Sequence, residues 1–243
     1  AGTIEAGREI EQTSDGGYII AGYTDGSGVS FYDVYLIKLN GAGVLQWSKT
    51  YGGSSYDFAY TVEETSDNGF ILGATTNSFG AGNWDAYLIK TNSTGVLQWS
   101  KTYGMSGEDR VQAAKQTSDG GYILCGRSNS FGAGNFDATL HKTDAAGTLQ
   151  WTKAYGGSLE DQAWYVSEYS TGGYALCGYS FSFGAGSRDI SMIKTDATGS
   201  SGCNETSGTF STTTPATVSG VLGSFSSGGI VNAVPTAYSA TPT

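Results

Sequence analysis

Carboxylates return in this chain at a fixed interval. Asp33, Asp85, Asp137 and Asp189 stand 52 residues apart, and Glu5, Asp57, Asp109 and Asp161 repeat the same spacing. Carboxylate oxygens in register can coordinate a hard cation such as calcium, or they can accept backbone amides and cap turns. Calcium loops draw several oxygens from one short segment, and no Asp-x-Asp-x-Asp-Gly run is present. Turn capping is therefore the simpler reading, with Asp33, Asp85, Asp137 and Asp189 kept as calcium candidates and no other metal or cofactor expected. The residues just before them, Tyr32, Trp84, Phe136 and Arg188, break the repeat symmetry. A ligand-selecting rim would vary in that way, so these four are the candidate ligand- or partner-binding residues.

Catalytic chemistry has little to stand on. His141 is the only histidine and takes the place of Ile37, Ile89 and Ile193 in the other copies, which reads as a strand position rather than a general base. No Gly-x-Ser-x-Gly elbow and no His-Glu-x-x-His pair occurs. Gly80-Ala81-Gly82 is half of a phosphate-loop pattern, but it recurs at Gly132 and Gly184 with no helical pattern following, so it is a turn. The sequence reads as a binding or structural protein and not as an enzyme.

The elements that carry these residues follow from the repeat. Thr13-Ser14-Asp15-Gly16-Gly17-Tyr18-Ile19 returns as Thr65 through Ile71, as Thr117 through Ile123, and in worn form as Ser170 through Ala175. The units run 1–52, 53–104, 105–156 and 157–208. In unit two, Asp57 to Glu64, Gly69 to Thr76, Trp84 to Lys90 and Val96 to Thr102 read as four strands, with Asn92-Ser93-Thr94-Gly95 as a hairpin turn. Tyr122-Ile123-Leu124-Cys125 is apolar on both faces, which suits a strand covered on each side. The expected fold is all-β: a β-propeller of four-stranded antiparallel blades, built from four repeats of 52 residues, with a C-terminal extension.

That extension, 209–243, is rich in Ser, Thr, Gly and Ala, and no charged residue follows Glu205. Segments 216–222 and 230–234 have strand character. Unit four lacks the Leu-Gln-Trp strand of the others and has Ser200-Ser201-Gly202-Cys203 instead, which leaves an edge to be paired. The tail is expected to cover that edge in its own chain, or to be donated to a neighbour and build a filament.

Composition narrows the partners. A net charge of −10, with 12 Lys and Arg spread singly, offers no stripe to neutralise phosphates, so nucleic acid and anionic membrane surfaces are poor ligands. No apolar run is long enough to suggest membrane insertion by a helix. Cys125 and Cys177 occupy the slot filled by Ala21 and Gly73, as small apolar fillers would, whereas Cys203 sits where the repeat puts Trp47, Trp99 and Trp151 and is open to a bond with Cys177 or another chain. Trp47, Trp99 and Trp151, with Tyr51, Tyr103 and Tyr155, read as packing between units, a sugar platform being the alternative. Asn92 and Asn204 match the N-glycosylation acceptor.

Thr13, Asp15, Gly17 and Tyr18, and again Thr117, Asp119, Gly121 and Tyr122, resemble the Asp-box hairpin of several propeller families. That likeness implies architecture only. The Gly-x-x-x-Trp close of units one to three also looks like the tryptophan repeats of quinoprotein dehydrogenases, without their adjacent cysteines or eight repeats. The repeat as a whole, from Gly-Gly-Tyr-Ile through Leu-Ile-Lys to Leu-Gln-Trp-Ser-Lys-Thr-Tyr-Gly-Gly, resembles secreted bacterial-type propeller-repeat proteins, including type IX secretion cargo. This resemblance implies an extracellular or cell-surface location. The expected function is a non-catalytic structural or adhesive module of a surface or filament, binding protein or glycan through its rim. The alternative is a carbohydrate-binding or glycan-hydrolysing propeller.

Overall fold

The computed structural model describes residues 4–26, 31–215 and 218–220, and every regular element among them is a strand. Unit one contributes β1 (Glu5–Gln12), β2 (Tyr18–Thr24), β3 (Asp33–Leu39) and β4 (Leu45–Gly52). Unit two contributes β5 (Asp57–Glu64), β6 (Phe70–Thr76), β7 (Asp85–Thr91) and β8 (Leu97–Gly104). Unit three follows with β9 (Asp109–Gln116), β10 (Tyr122–Ser128), β11 (Asp137–Thr143) and β12 (Leu149–Tyr155). Unit four has only β13 (Asp161–Glu168), β14 (Gly173–Ser180) and β15 (Asp189–Asp196). Each unit is an antiparallel meander in chain order, as the repeat predicts.

Hairpin chemistry fixes the meanders. In unit one the Thr13 hydroxyl and the Gly17 amide donate to Asp15 Oδ1 at 2.6 and 2.9 Å, while Gly16 takes a φ of +80°. Lys38, only 4% exposed, reaches Asp15 Oδ2 at 2.9 Å and also donates to the Leu39 carbonyl. Units two and three repeat this with Lys90 on Asp67 and Lys142 on Asp119. Unit four departs from it. Tyr169 stands in the Thr position and its hydroxyl bonds the Thr195 carbonyl, leaving Lys194 over the Tyr169 ring, 4.8 Å from the centroid.

Consecutive sheets pack face to face. Ile19, Leu36 and Tyr51 of unit one bury against Val62, Phe70 and Ile89 of unit two, and equivalent layers join two to three and three to four. The first strands β1, β5, β9 and β13 touch in turn, while the outermost strands β4, β8 and β12 make no contact of comparable extent with one another. Among the described residues nothing of that extent joins unit four back to unit one. β10 is buried along Tyr122 to Cys125, as its two-faced apolarity predicts.

The tail departs from expectation. β16 (Glu205–Gly208) pairs with β12, β17 (Ser211–Thr213) with β8, and β18 (Val218–Gly220) with β4. Its described strands run back across the outer edges of units three, two and one, and none of them pairs with unit four, so among the described residues units one to three are five-stranded and unit four is three-stranded. The cause is local. Gly202 and Asn204 adopt φ of +75° and +51°, and Glu205 accepts the Ser201 amide at 2.6 Å and the Ser200 hydroxyl at 3.0 Å, which swings the chain off β15 and onto β12. Segment 230–234 lies outside the described residues.

Candidate functional site

The four symmetry-breaking residues all stand at one end of the sheets, immediately before the third strand of each unit. Backbone bonds hold three of them at unit junctions. The carbonyls of Tyr32, Trp84 and Phe136 accept the amides of Asp57, Asp109 and Asp161 from the next unit at 2.7, 2.7 and 2.6 Å. Their side chains therefore project from a fixed frame.

Tyr32 and Trp84 fall within one cluster of six half-buried rings, Tyr23, Phe31, Tyr32, Tyr56, Phe58 and Trp84. Tyr23 meets Tyr32 at 5.2 Å and Phe58 at 4.9 Å, Phe31 meets Tyr56 at 4.8 Å, and Phe58 meets Trp84 at 5.8 Å. Arg8 lies 5.3 Å from the Tyr23 ring and Arg110 lies 4.6 Å from the Trp84 ring. Phe136 and Arg188 stand apart from this cluster. Arg127 covers Phe136 at 4.4 Å, and Arg188 covers Tyr179 at 4.0 Å. Arg127 also pairs with Glu160 at 3.0 Å and Glu108 at 3.3 Å, and Tyr179 meets Trp164 at 6.4 Å and Phe181 at 5.7 Å, so the rim passes from aromatic over units one and two to mixed ionic and aromatic over units three and four. Sequence reasoning found one ring per unit here. It missed Tyr23, Phe31, Tyr56 and Phe58, whose positions in the repeat also vary: Tyr23 and Phe58 lie in strands, where aromatic residues read as core, and Phe31 and Tyr56 lie in the connections beside them.

The calcium candidates cap turns. Asp85 Oδ2 accepts the Gly82 amide at 3.1 Å, Asp137 Oδ2 accepts those of Ala133 and Gly134 at 3.0 and 3.2 Å, and Asp189 Oδ2 accepts that of Gly186 at 3.1 Å. The first-strand set does likewise: Asp57 Oδ2 takes the Gly53 amide at 2.9 Å and the Ser78 hydroxyl at 2.7 Å. The two sets meet between units, where Asp33 and Asp57 flank Gly52, Asp85 and Asp109 flank Gly104, and Asp137 and Asp161 flank Gly156. Burial pushes Asp57 and Asp85 up to about 6, against the amides and hydroxyls that favour the charged form. Among the described residues no group of three or more His, Cys, Asp or Glu side chains is arranged to hold a metal ion. Asp33 is buried at the head of its strand, in the same position as its three counterparts.

The remaining candidates fall as follows. His141 is buried, burial lowers it to about 3, and its Nδ1 lies 2.5 Å from the Thr152 hydroxyl. Cys125, Cys177 and Cys203 are all free thiols, so no bond joins Cys203 to Cys177. Asn92 caps its turn, its Oδ1 accepting the Thr94 and Val96 amides at 3.0 and 2.9 Å, and Asn204 is exposed. Trp47, Trp99 and Trp151 pack on the hairpin glycines Gly95, Gly147 and Gly199 of the following unit, where a Cβ would come within 2.7 to 2.8 Å of the indole. No protein-family model matches the chain, and no curated protein aligns significantly with it.

Proposed function

We propose that the four units are blades of a β-propeller-type fan, and that the protein is a non-catalytic structural or adhesive module of an extracellular surface. It binds protein or glycan through the rim that carries Tyr32 and Trp84. The fan is supported by first strands that touch in turn while outer strands diverge, as sheets radiating from an axis would. The binding role rests on one observation: six rings, half-buried and braced by Arg8 and Arg110, gathered at one end of units one and two. Soluble domains rarely leave such a cluster at the surface without a partner. The surface location and any filament rest on the resemblance of the repeat alone.

Glycan is the second reading, favoured by the Tyr and Trp content of the cluster, since flat rings with a polar edge suit a sugar face. A hydrolytic role has less behind it. The paired carboxylates Asp85 and Asp109 are buried and engaged with turn amides and hydroxyls.

A glycan and protein array probed with the chain and with Trp84→Ala tests the proposal. The expected result is a ligand whose signal falls about tenfold or more on Trp84→Ala while the circular dichroism is unchanged. Equal binding by the two proteins would overturn the rim as the binding surface.

A further inference from the structure

Unit four is missing its outer strand, and the place of that strand is preserved as a groove. In units one to three, Val34–Lys38, Ala86–Lys90 and Ala138–Lys142 pair in register with Tyr51–Trp47, Tyr103–Trp99 and Tyr155–Trp151. The matching residues of β15 are Ile190 to Lys194, and these five line a groove of about 370 Å³ that Tyr155 of unit three closes from the other side. Among the described residues no strand pairs with this edge of β15. The preceding hairpin is built as in the other units, with the Gly199 amide on the Asp196 carbonyl at 3.1 Å and the Ser200 amide on Asp196 Oδ1 at 2.9 Å. The receiving edge of β15 is thus preserved along 190–194, with the chain's own Ser201, Cys203 and Asn204 lining one part of the groove before the continuation is diverted to β12.

We infer that this groove is a strand-accepting site, and that its ligand is an extended segment of another polypeptide with the pattern Leu-Gln-Trp-Ser/Thr-Lys-x-Tyr. The three occupied counterparts dictate that pattern. The residues opposite Ser191 and Ile193 face unit three and correspond to Thr102 and Ser100 in unit two, so they must be small. Those opposite Ile190, Met192 and Lys194 correspond to Tyr103, Lys101 and Trp99, and lie on the face where Ile190 is 94% and Met192 72% exposed. An incoming Tyr would cover Ile190, and the stem of an incoming Lys would cover Met192. Backbone pairing along β15 supplies affinity, and the two large rings supply register. This site is separate from the rim and does not depend on the function proposed for it.

The probe is a synthetic peptide of residues 97–104, Leu-Gln-Trp-Ser-Lys-Thr-Tyr-Gly, added to the full chain. Hydrogen exchange read by mass spectrometry is expected to show new protection confined to 190–194. Fluorescence titration is expected to show binding about tenfold or more weaker for the peptide carrying Trp99→Ala and Tyr103→Ala. No binding, equal binding of a scrambled peptide, or protection elsewhere in the chain would each overturn the inference.

Discussion

The hydroxyl of Tyr51 donates to the carbonyl of Gly95 across 2.6 Å, from the outer strand of one unit to the last hairpin of the next. Tyr103 does the same to Gly147 at 2.7 Å and Tyr155 to Gly199 at 2.6 Å, all three bonds being buried. These bonds set the angle between consecutive sheets where apolar packing alone would let them slide. Tyr103→Phe keeps the ring and removes the bond, so it is expected to destabilise the protein by about 1 kcal/mol, lowering Tm by about 2 to 4 °C. Thermal melts of Tyr103→Phe beside the unaltered chain measure this.

The buried lysines depend on exposed partners. Lys90 is 3% exposed, and Asp67 Oδ1 and Oδ2, each 2.9 Å away, are its anionic contacts. Asp67→Ala leaves the ammonium with the Thr91 carbonyl and Gln98 Oε1 but, among the described residues, with no ion-pair partner. A loss of about 2 kcal/mol is expected, below the about 3 to 5 kcal/mol of fully buried pairs because the carboxylate faces solvent. Urea denaturation of Asp67→Ala is the check, and the double change Asp67→Ala with Lys90→Met should recover part of the loss.

Stability should be greatest in mild acid. Asp57 and Asp85, raised to about 6 by burial, bind protons more tightly when folded than unfolded. Their favourable contribution is complete below about pH 4, the unfolded value, and fades as pH rises through about 6. Asp67 and Asp119 run the other way. Partial burial lifts each, but the Thr hydroxyl, the Lys ammonium and the Gly amide outweigh it and hold both at about 2. Their contribution is present above about pH 4 and is lost as pH falls toward 2. Tm against pH should peak near about pH 4 to 5, and Asp57→Asn should flatten the decline toward pH 7.

Gly104 has no room for a side chain. A Cβ there would stand 1.9 Å from Asp85 Oδ1 and 3.0 Å from Asp109 Oδ2, and both carboxylates are buried. Gly104→Ala is expected to cost about 1 to 3 kcal/mol by overpacking, with a chemical denaturation midpoint lowered to match. Gly52→Ala and Gly156→Ala meet Asp33 and Asp137 in the same geometry and should behave alike.

Much of the local structure was legible because it is written in short-range chemistry. The Thr-x-Asp-x-Gly turns, the Asp57 to Glu64 strand and the two-faced burial of Tyr122 to Cys125 each depend on neighbours within one unit or on apolar content alone. Repetition added the rest for units two and three, which bury the same faces, while the end units leave one face open, as Ile190 and Met192 show. The capping role of Asp85 and Asp137 was readable for the same reason, their amide donors lying three or four residues away.

What the tertiary structure decided is how copies meet. Tyr32 and Trp84 share a ring cluster because Tyr56 and Phe58 of unit two lie between them, a contact set by the packing angle between sheets and by no local signal. Of the tail's three described strands only β18 falls within a segment readable as strand-forming, 216–222, and the destination of none was readable. Two left-handed residues, Gly202 and Asn204, turn the tail away from β15. From there its strands follow the outer edges of units three, two and one, where unpaired backbone groups were available. Spacing along the chain fixes which faces are apolar, whereas only the three-dimensional path determines which edge a polar, weakly patterned segment reaches first.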